Sequence, residues 1–260
     1  MNPSKLQEEL QTRWVGQNIV FSHMTASTSD LAKELAAAGA AEGTVVVAET
    51  QTCGHGRLGR EWISPVGGLW FSTILRPRVE PSDGGKLVFV AGLAVAKSLR
   101  ELYNLSVTTK WPNDVLANGK KVCGILATMK TTRRRINYVV LSVGINANFE
   151  VRTLPKALWS NATTLQTELE GKISLECLFK MVLEKLESCY DLFMSGGFGL
   201  ILEEWKNLAS FLGRQVDVIG LDEKCAGQAS DVDSNGHLIL TLSDGSKRRI
   251  LAGDISVRPM

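Results

Sequence analysis

Two arginines lie in a glycine-rich stretch in the first quarter of the chain. Residues 49–62 read ETQTCGHGRLGREW, and the guanidinium groups of Arg57 and Arg60 alternate there with glycines. Glycine lets a backbone come close to a ligand, and a guanidinium donates paired hydrogen bonds to phosphate or carboxylate oxygens. The stretch is neither a Walker loop nor a dinucleotide-binding fingerprint. From spacing alone, an anion-binding loop and a mobile surface loop with solvated arginines are equally consistent.

A second group of polar residues surrounds a predicted hairpin. Residues 110–114 read KWPND, and Asn118-Gly119 is a strong turn pair that returns the chain through Lys121. Since side chains alternate across a strand, Lys121 is predicted on the face of Cys123, with Gly124 opposite. On this segment alone, a charge at the edge of the hairpin base is the favoured interpretation of Lys121, and a place beside a pocket is the alternative.

A third candidate, Asn146, follows a strand rich in β-branched residues. Its amide offers a donor and an acceptor to a ligand. Asparagines at strand ends are more often simple turn formers, so this residue alone decides nothing.

Hydrophobic periodicity supplies the elements that must position these residues. Apolar residues at helical spacing predict helices over residues 4–13, 86–103, 175–193 and 201–212. A further helix, with Leu31 and Leu35 inward, is predicted to be capped by Ser29 or Asp30. Strands are predicted over residues 19–24, 45–48, 69–75, 107–111 and 137–143, and a hairpin over residues 115–129 turns at Asn118-Gly119. After Gly213 only short strands with tight turns follow, at 216–219, 226–232, 237–242 and 247–251. The pattern predicts an α+β domain over residues 1–212 and a small all-β domain, a β-barrel, over residues 213–260.

Composition narrows the classes of protein. The chain has 260 residues, is 44% hydrophobic and 22% charged, and carries 29 basic against 27 acidic side chains. This balance disfavours a general nucleic-acid or membrane-surface protein. Five cysteines without a C-x-x-C pair and only three histidines argue against a disulfide framework or structural zinc site. The sequence predicts a soluble, cytoplasmic protein.

Together these segments resemble the biotin protein ligases. The family pattern runs Ser-Thr-Asn, a Gln…Gly-Arg-Gly-Arg-x-Gly-Arg-x-Trp loop, Lys-Trp-Pro-Asn-Asp, Lys-x-x-Gly-Ile-Leu and Gly-Ile-Asn. Here the corresponding segments occur in the same order, at residues 27–29, 51–62, 110–114, 121–126 and 144–146. The resemblance covers almost the whole chain after about residue 19. Five ordered motifs are far more specific than any one of them.

The resemblance implies a fold and an activity. It implies a mixed β-sheet catalytic domain with packed helices, of the class II synthetase-like type, followed by a small SH3-like β-barrel. Members make biotinyl-5′-adenylate from biotin and ATP with Mg²⁺ and release pyrophosphate. They then pass the biotinyl group to a lysine of a biotin carboxyl carrier protein, such as that of acetyl-CoA carboxylase. The resemblance does not choose between a monomer and a homodimer.

Residue roles follow from matching positions. Lys121 and Arg57 are the implied catalytic residues, and Asp114 is an implied Mg²⁺ ligand. The implied biotin-binding set is Ser27, Thr28, Ser29, Gln51, Gly54, His55, Gly56, Arg57, Lys121 and Gly124. The implied ATP-binding set is Arg57, Arg60, Trp62, Lys110, Asn113, Asp114, Lys121 and Asn146.

Three positions depart from the family pattern, and two other functions stay open. His55 replaces the first loop arginine, Leu58 stands where some members have another arginine, and Ser29 replaces an asparagine. About 26 residues precede Ser27, too few for the DNA-binding domain of some members, so we expect a monofunctional ligase that binds neither nucleic acid nor membrane. A lipoate ligase shares the catalytic fold, and a non-catalytic homologue that holds biotin or a carrier is the binding-module alternative.

Overall fold

A computed structural model describes residues 3–219 and 224–257. Its helices are α1 (Pro3–Glu9), α2 (Thr28–Ala37), α3 (Leu87–Tyr103), α4 (Leu165–Glu168), α5 (Leu175–Gly196) and α6 (Phe198–Asn207). The first seven strands are β1 (Ile19–Thr25), β2 (Val45–Gln51), β3 (Leu69–Leu75), β4 (Val107–Lys110), β5 (Asp114–Ala117), β6 (Lys120–Thr132) and β7 (Arg135–Ile145). The last five are β8 (Gln215–Ile219), β9 (Lys224–Val232), β10 (Leu238–Thr241), β11 (Lys247–Ile250) and β12 (Asp254–Val257).

The first seven strands form one mixed sheet in the order β1-β2-β3-β7-β6-β5-β4. β1 and β2 are parallel, and every other neighbouring pair is antiparallel. β3 is buried along its whole length because helices cover both faces of the sheet. The predicted mixed sheet with packed helices is confirmed.

Alternation along β2 divides the core between the two faces. Val45 and Val47 join the large core that contains α3, α5 and α6, whereas Val46 packs with Ala32 and Ala36 of α2. Successive side chains of a strand point to opposite faces, so a single strand serves both layers. None of the helices within residues 3–219 and 224–257 has the length and apolar character needed to cross a bilayer.

The last five strands form a second, antiparallel sheet in the order β11-β10-β9-β8-β12. Among the described strands β11 does not pair with β12, so the sheet is open and the expected closed barrel is not observed. β12 was not predicted, because four residues without a following turn pair leave little periodicity to detect. Trp111 joins the two sheets by donating from its indole Nε1 to the carbonyl of Gly236 at 2.9 Å.

A buried carboxylate fixes the N-terminal segment against α5. Glu187 is 6% exposed and accepts backbone N–H groups from Arg13, Trp14 and Val15 at 2.8–3.0 Å. The backbone therefore leaves helical geometry here, and α1 ends at Glu9 instead of the predicted residue 13. Burial alone would raise the pKa of Glu187, but the three hydrogen bonds outweigh it and lower the pKa.

Candidate functional site

A cavity of about 450 Å³ opens between the mixed sheet and the first residues of β12. The residues singled out from sequence converge on it, with the exception of Gly54. Those that line it are Ser27, Thr28, Ser29, Gln51, His55, Gly56, Arg57, Arg60, Trp62, Lys110, Asn113, Asp114, Lys121, Gly124 and Asn146. A cavity of this size, lined by convergent polar groups, suits a small ligand.

Lys121 projects into the cavity from the start of β6. Its backbone is held on both sides, since its N–H donates to Asn161 and its carbonyl accepts from Thr163. Its Nζ lies 2.6 Å from Oδ1 of Asp114, and the side chain is 32% exposed. A fixed ammonium group is thereby presented to the cavity with one carboxylate beside it.

The predicted alternation of β6 is wrong at this point. A bulge shifts the register between β5 and β6, so that Leu116 pairs with Lys121 and Val115 pairs with Cys123. One extra residue re-aims the side chains that follow it. As a result Lys121 shares the cavity face with Gly124, while Cys123 is buried in the core.

Trp62 lies across two glycines on the cavity floor. A Cβ at Gly124 would be 2.7 Å from the Trp62 ring, and one at Gly144 would be 2.4 Å from its Nε1. The ammonium of Lys121 lies 5.1 Å from the centre of the indole, within range of a cation–π interaction. The indole Nε1 is buried without a hydrogen-bond partner among the described residues.

The glycine-rich loop runs from the end of β2 to Trp62 and folds back on itself. Isolated bridges join Gln51 to Ser64 and His55 to Glu61. Gly54 does not line the cavity. A Cβ at this position would lie 2.3 Å from the carbonyl oxygen of Trp62, so the absence of a side chain lets the two segments of the loop pack closely. Gly54 is therefore a packing position in this structure.

Both loop arginines bind one carboxylate of the second sheet. Arg57 Nη1 donates to Oδ1 of Asp254 at 2.9 Å, to the carbonyl of Gly253 at 3.1 Å and to Oδ1 of Asn113 at 3.2 Å. Arg60 forms an ion pair with Oδ2 of the same aspartate. Burial lowers the pKa of Arg57, and the nearby carboxylates of Asp254 and Asp114 oppose the shift. A guanidinium remains charged at any pH that a protein tolerates.

A chain of hydroxyl and amide groups forms the other end of the cavity. Gln51 Oε1 accepts from the backbone N and from Oγ1 of Thr28 at 2.8 and 3.0 Å, and its Nε2 donates to Ser64 Oγ at 2.7 Å. Thr28 Oγ1 lies 2.9 Å from Ser72 Oγ, which lies 2.8 Å from Ser142 Oγ. These bonds hold a set of donors and acceptors in fixed positions.

At the start of α2, Ser27 caps the helix and Ser29 lies in the wall of the cavity. The helix cap is Ser27, whose Oγ accepts from Asp30 N at 3.4 Å, and not Ser29 or Asp30. Ser29 is 3% exposed, and its Oγ has no hydrogen-bond partner among the described residues. Its hydroxyl is available to a ligand in the cavity.

His55, which replaces an arginine of the family pattern, pairs with an aspartate of α2. Its Nε2 lies 2.6 Å from Oδ2 of Asp30, and Oδ1 of the same aspartate accepts from Lys33 Nζ at 3.0 Å. Burial would raise the pKa of Asp30, but the hydrogen bonds from His55 and Lys33 lower it overall. Asp30 therefore stays ionised at neutral pH and ties the loop to α2.

The two candidate asparagines are held by backbone groups. Asn113 Nδ2 donates to the carbonyl of Ile125 at 2.6 Å, and Asn146 Nδ2 donates to that of Thr163 at 3.0 Å. Lys110 lies opposite Asp114 in the backbone register of β4 and β5, and it supplies a further cation to the lining.

The cavity offers few protein ligands for Mg²⁺. Among residues 3–219 and 224–257 no three His, Cys, Asp or Glu side chains are placed to hold a metal. Mg²⁺ usually keeps several waters and takes one or two protein carboxylates together with substrate phosphates. Asp114, whose carboxylate lies at the cavity wall beside Lys121, fits such an ion when it arrives with a nucleotide.

Asp254, which lines the cavity together with its neighbours Ile255 and Ser256, was not identified from the sequence. It lies 197 residues from Arg57 in a strand without a motif. No local pattern marks such a residue, because its role depends on how the second sheet docks.

Two family models match the chain. One, described as the biotin/lipoate A/B protein ligase family, matches residues 21–146, and another, the biotin protein ligase C terminal domain, matches residues 211–258. The chain is 35% identical to the bifunctional ligase/repressor BirA of Bacillus subtilis, over 98% of this chain and 80% of that protein. It is 29% identical to the biotin–[acetyl-CoA-carboxylase] ligase of Mycobacterium tuberculosis, over 91% of this chain and 87% of the relative.

A solved structure has the same architecture. The chain is similar to the biotin protein ligase of Aquifex aeolicus in complex with biotin and ATP, with a TM-score of 0.79 and 28% identity. The similarity covers 94% of this chain and all of that one.

Proposed function

The chain belongs to the biotin/lipoate A/B protein ligase family, and from that premise we propose how its cavity carries out the reaction of a biotin protein ligase. The enzyme joins biotin and ATP to form biotinyl-5′-AMP and pyrophosphate. It then transfers biotin to the acceptor lysine of a biotin carboxyl carrier protein, such as that of acetyl-CoA carboxylase. The observation that carries this proposal is the convergence of Lys121, Arg57 and Arg60 on one cavity with the Gln51 hydrogen-bond chain.

Biotin binds at the polar end and along the floor of the cavity in this proposal. The fused rings of biotin need donors and acceptors at their polar atoms and apolar walls elsewhere. Ser29, Thr28 and Gln51 supply the polar groups, and the floor, where the Trp62 ring lies over Gly124, supplies the apolar contact. The biotin carboxylate then points toward Lys121.

Cations make the first step possible. A carboxylate oxygen of biotin attacks the α-phosphorus of ATP, and pyrophosphate leaves. Two like charges about 4 Å apart repel by about 4 kcal/mol at an effective dielectric constant near 20. Lys121 and Arg57 cancel this repulsion and stabilise the negative charge that develops in the transition state. Arg60 and Lys110 bind the outer phosphates, with Asn113 and Asn146 beside the nucleotide.

The second step needs protection from water. The amine of the carrier lysine attacks the acyl carbon of biotinyl-5′-AMP, and AMP leaves with the bonding electrons. A mixed anhydride hydrolyses readily, so a loop that closes over it prolongs its life. The glycine-rich loop with Arg57 and Trp62 is placed to do this.

Mg²⁺ accompanies ATP in this proposal, with Asp114 as its protein ligand. Such an ion would neutralise phosphate charge. The five cysteines, all free thiols within the described residues, fit a cytoplasmic location, where ATP and carrier proteins are also found.

A transfer assay tests the proposed function. The protein is incubated with labelled biotin, ATP, Mg²⁺ and a purified carrier domain, and the same reaction is run with labelled lipoate. We expect label on the carrier from biotin only, and ATP–pyrophosphate exchange that depends on biotin. Label from lipoate alone would make the protein a lipoate ligase, and binding of biotin without exchange would make it a binding module.

A further inference from the structure

We propose that Asp254 is a positioning residue, which holds both loop arginines ready for the nucleotide. The inference rests on the proposed function but goes beyond it, since Asp254 matches none of the motifs that carry the resemblance to the family. Its two oxygens are divided between two cations, with Oδ1 bound to Arg57 and Oδ2 to Arg60.

The geometry fixes Arg57 while leaving part of it free. Nη1 is shared among Asn113, Gly253 and Asp254, and Nη2 donates to the carbonyl of Gly253 at 3.2 Å. A guanidinium has five N–H donors. The Nε hydrogen and one Nη2 hydrogen of Arg57 have no acceptor among the described residues. They remain available for phosphate or carboxylate oxygens while the group stays anchored.

Burial makes this anchorage effective. The Arg57 side chain is 19% exposed and that of Asp254 31% exposed, so their attraction is less screened than at an open surface. A guanidinium on a glycine-rich loop would otherwise lose much side-chain freedom when it binds a phosphate. Holding it in place beforehand removes that cost from ligand binding.

A second ion pair between the two parts of the chain provides a matched control. Lys206 of α6 and Asp231 of β9 lie 2.6 Å apart, and neither residue lines the cavity. Asp231→Asn therefore weakens the contact between the domains without touching the arginines. Asp254→Asn keeps the shape and one acceptor oxygen but loses the charge that both arginines share.

The experiment measures biotin-dependent ATP–pyrophosphate exchange in the full chain at varied ATP. For Asp254→Asn we expect kcat/KM for ATP to fall at least about tenfold, the usual cost of losing a group that orients a ligating side chain. Most of the loss should lie in KM, with partial rescue by Asp254→Glu and wild-type kinetics in Asp231→Asn. Adding Asp254→Asn to Arg57→Ala should cost less activity than it costs the wild type, because Arg57 and Asp254 act together and only the contact with Arg60 remains to be lost.

Three results would overturn the inference: equal ATP kinetics in Asp254→Asn and Asp231→Asn, a KM below that of the wild type, or additive losses in the double variant. A lower KM would mean that the carboxylate competes with phosphate for the arginines. Thermal unfolding of each variant shows whether the fold is retained. Absence of biotin-dependent exchange in the wild type would refute the proposed function instead, so the two failures are distinguishable.

Discussion

Gly144 provides the sharpest steric test of the cavity floor. In Gly144→Ala the new Cβ would lie 2.4 Å from Nε1 and 2.7 Å from Cε2 of Trp62. Ordinary contacts begin near 3.4 Å, so the indole must move by about 1 Å. Trp62 also contacts the ammonium of Lys121, so the displacement reaches the proposed catalytic group. A misplacement of about 1 Å can lower the rate by roughly 100-fold.

The assay combines ATP–pyrophosphate exchange with chemical denaturation. We expect kcat to fall about 100-fold in Gly144→Ala, while overpacking lowers the free energy of unfolding by only about 1–3 kcal/mol. Gly199→Ala is the control, because a Cβ at that position of α6 would meet nothing within 4 Å. Normal exchange in folded Gly144→Ala would show that the position of Trp62 does not matter to the reaction.

Two further predictions concern charge. Glu187→Gln should lower the free energy of unfolding by about 2 kcal/mol at pH 7, since three backbone N–H groups lose a charged acceptor. Because folding lowers the pKa of Glu187, its carboxylate stabilises the fold at pH values above the ordinary pKa of a glutamate. This contribution is lost as the pH falls through the lowered pKa. Urea unfolding should therefore show a larger deficit at pH 7 than at pH 3, with Glu203→Gln as an exposed control; equal deficits at both pH values would contradict this. In His55→Arg a permanent cation faces Asp30 and the cavity, so biotinyl-5′-AMP should dissociate more slowly in a chase experiment. An unchanged dissociation rate would show that this charge does not help to retain the adenylate.

Most of the large elements could be predicted from periodicity. The α3 helix is apolar on nearly every side because it is buried between the sheet and α5, and Asn118-Gly119 marks the β5–β6 hairpin correctly. These features depend on residues close together in sequence, which is why local patterns reveal them.

The failures arise where tertiary structure overrides a local rule. Alternation along β6 fails at Lys121 because a bulge inserts one residue into the strand. The short strands with tight turns and the resemblance to the family both predicted a closed barrel, but among the described strands β11 and β12 do not pair with each other. Asp254 was invisible because only docking of the second sheet brings it to Arg57 and Arg60.

The central claim is that cations converging on one cavity let a carboxylic acid attack a nucleotide. Substitution of Lys121 tests this claim most directly. The measurement is the rate of biotinyl-5′-AMP formation in a single turnover by Lys121→Gln, compared with Lys120→Ala. Lys120 is the adjacent, exposed lysine of the same strand and does not line the cavity. We expect Lys121→Gln to slow adenylate formation by at least about 100-fold, the scale of losing one charge-stabilising donor, and Lys120→Ala to match the wild type. Equal rates in the two variants would contradict the account.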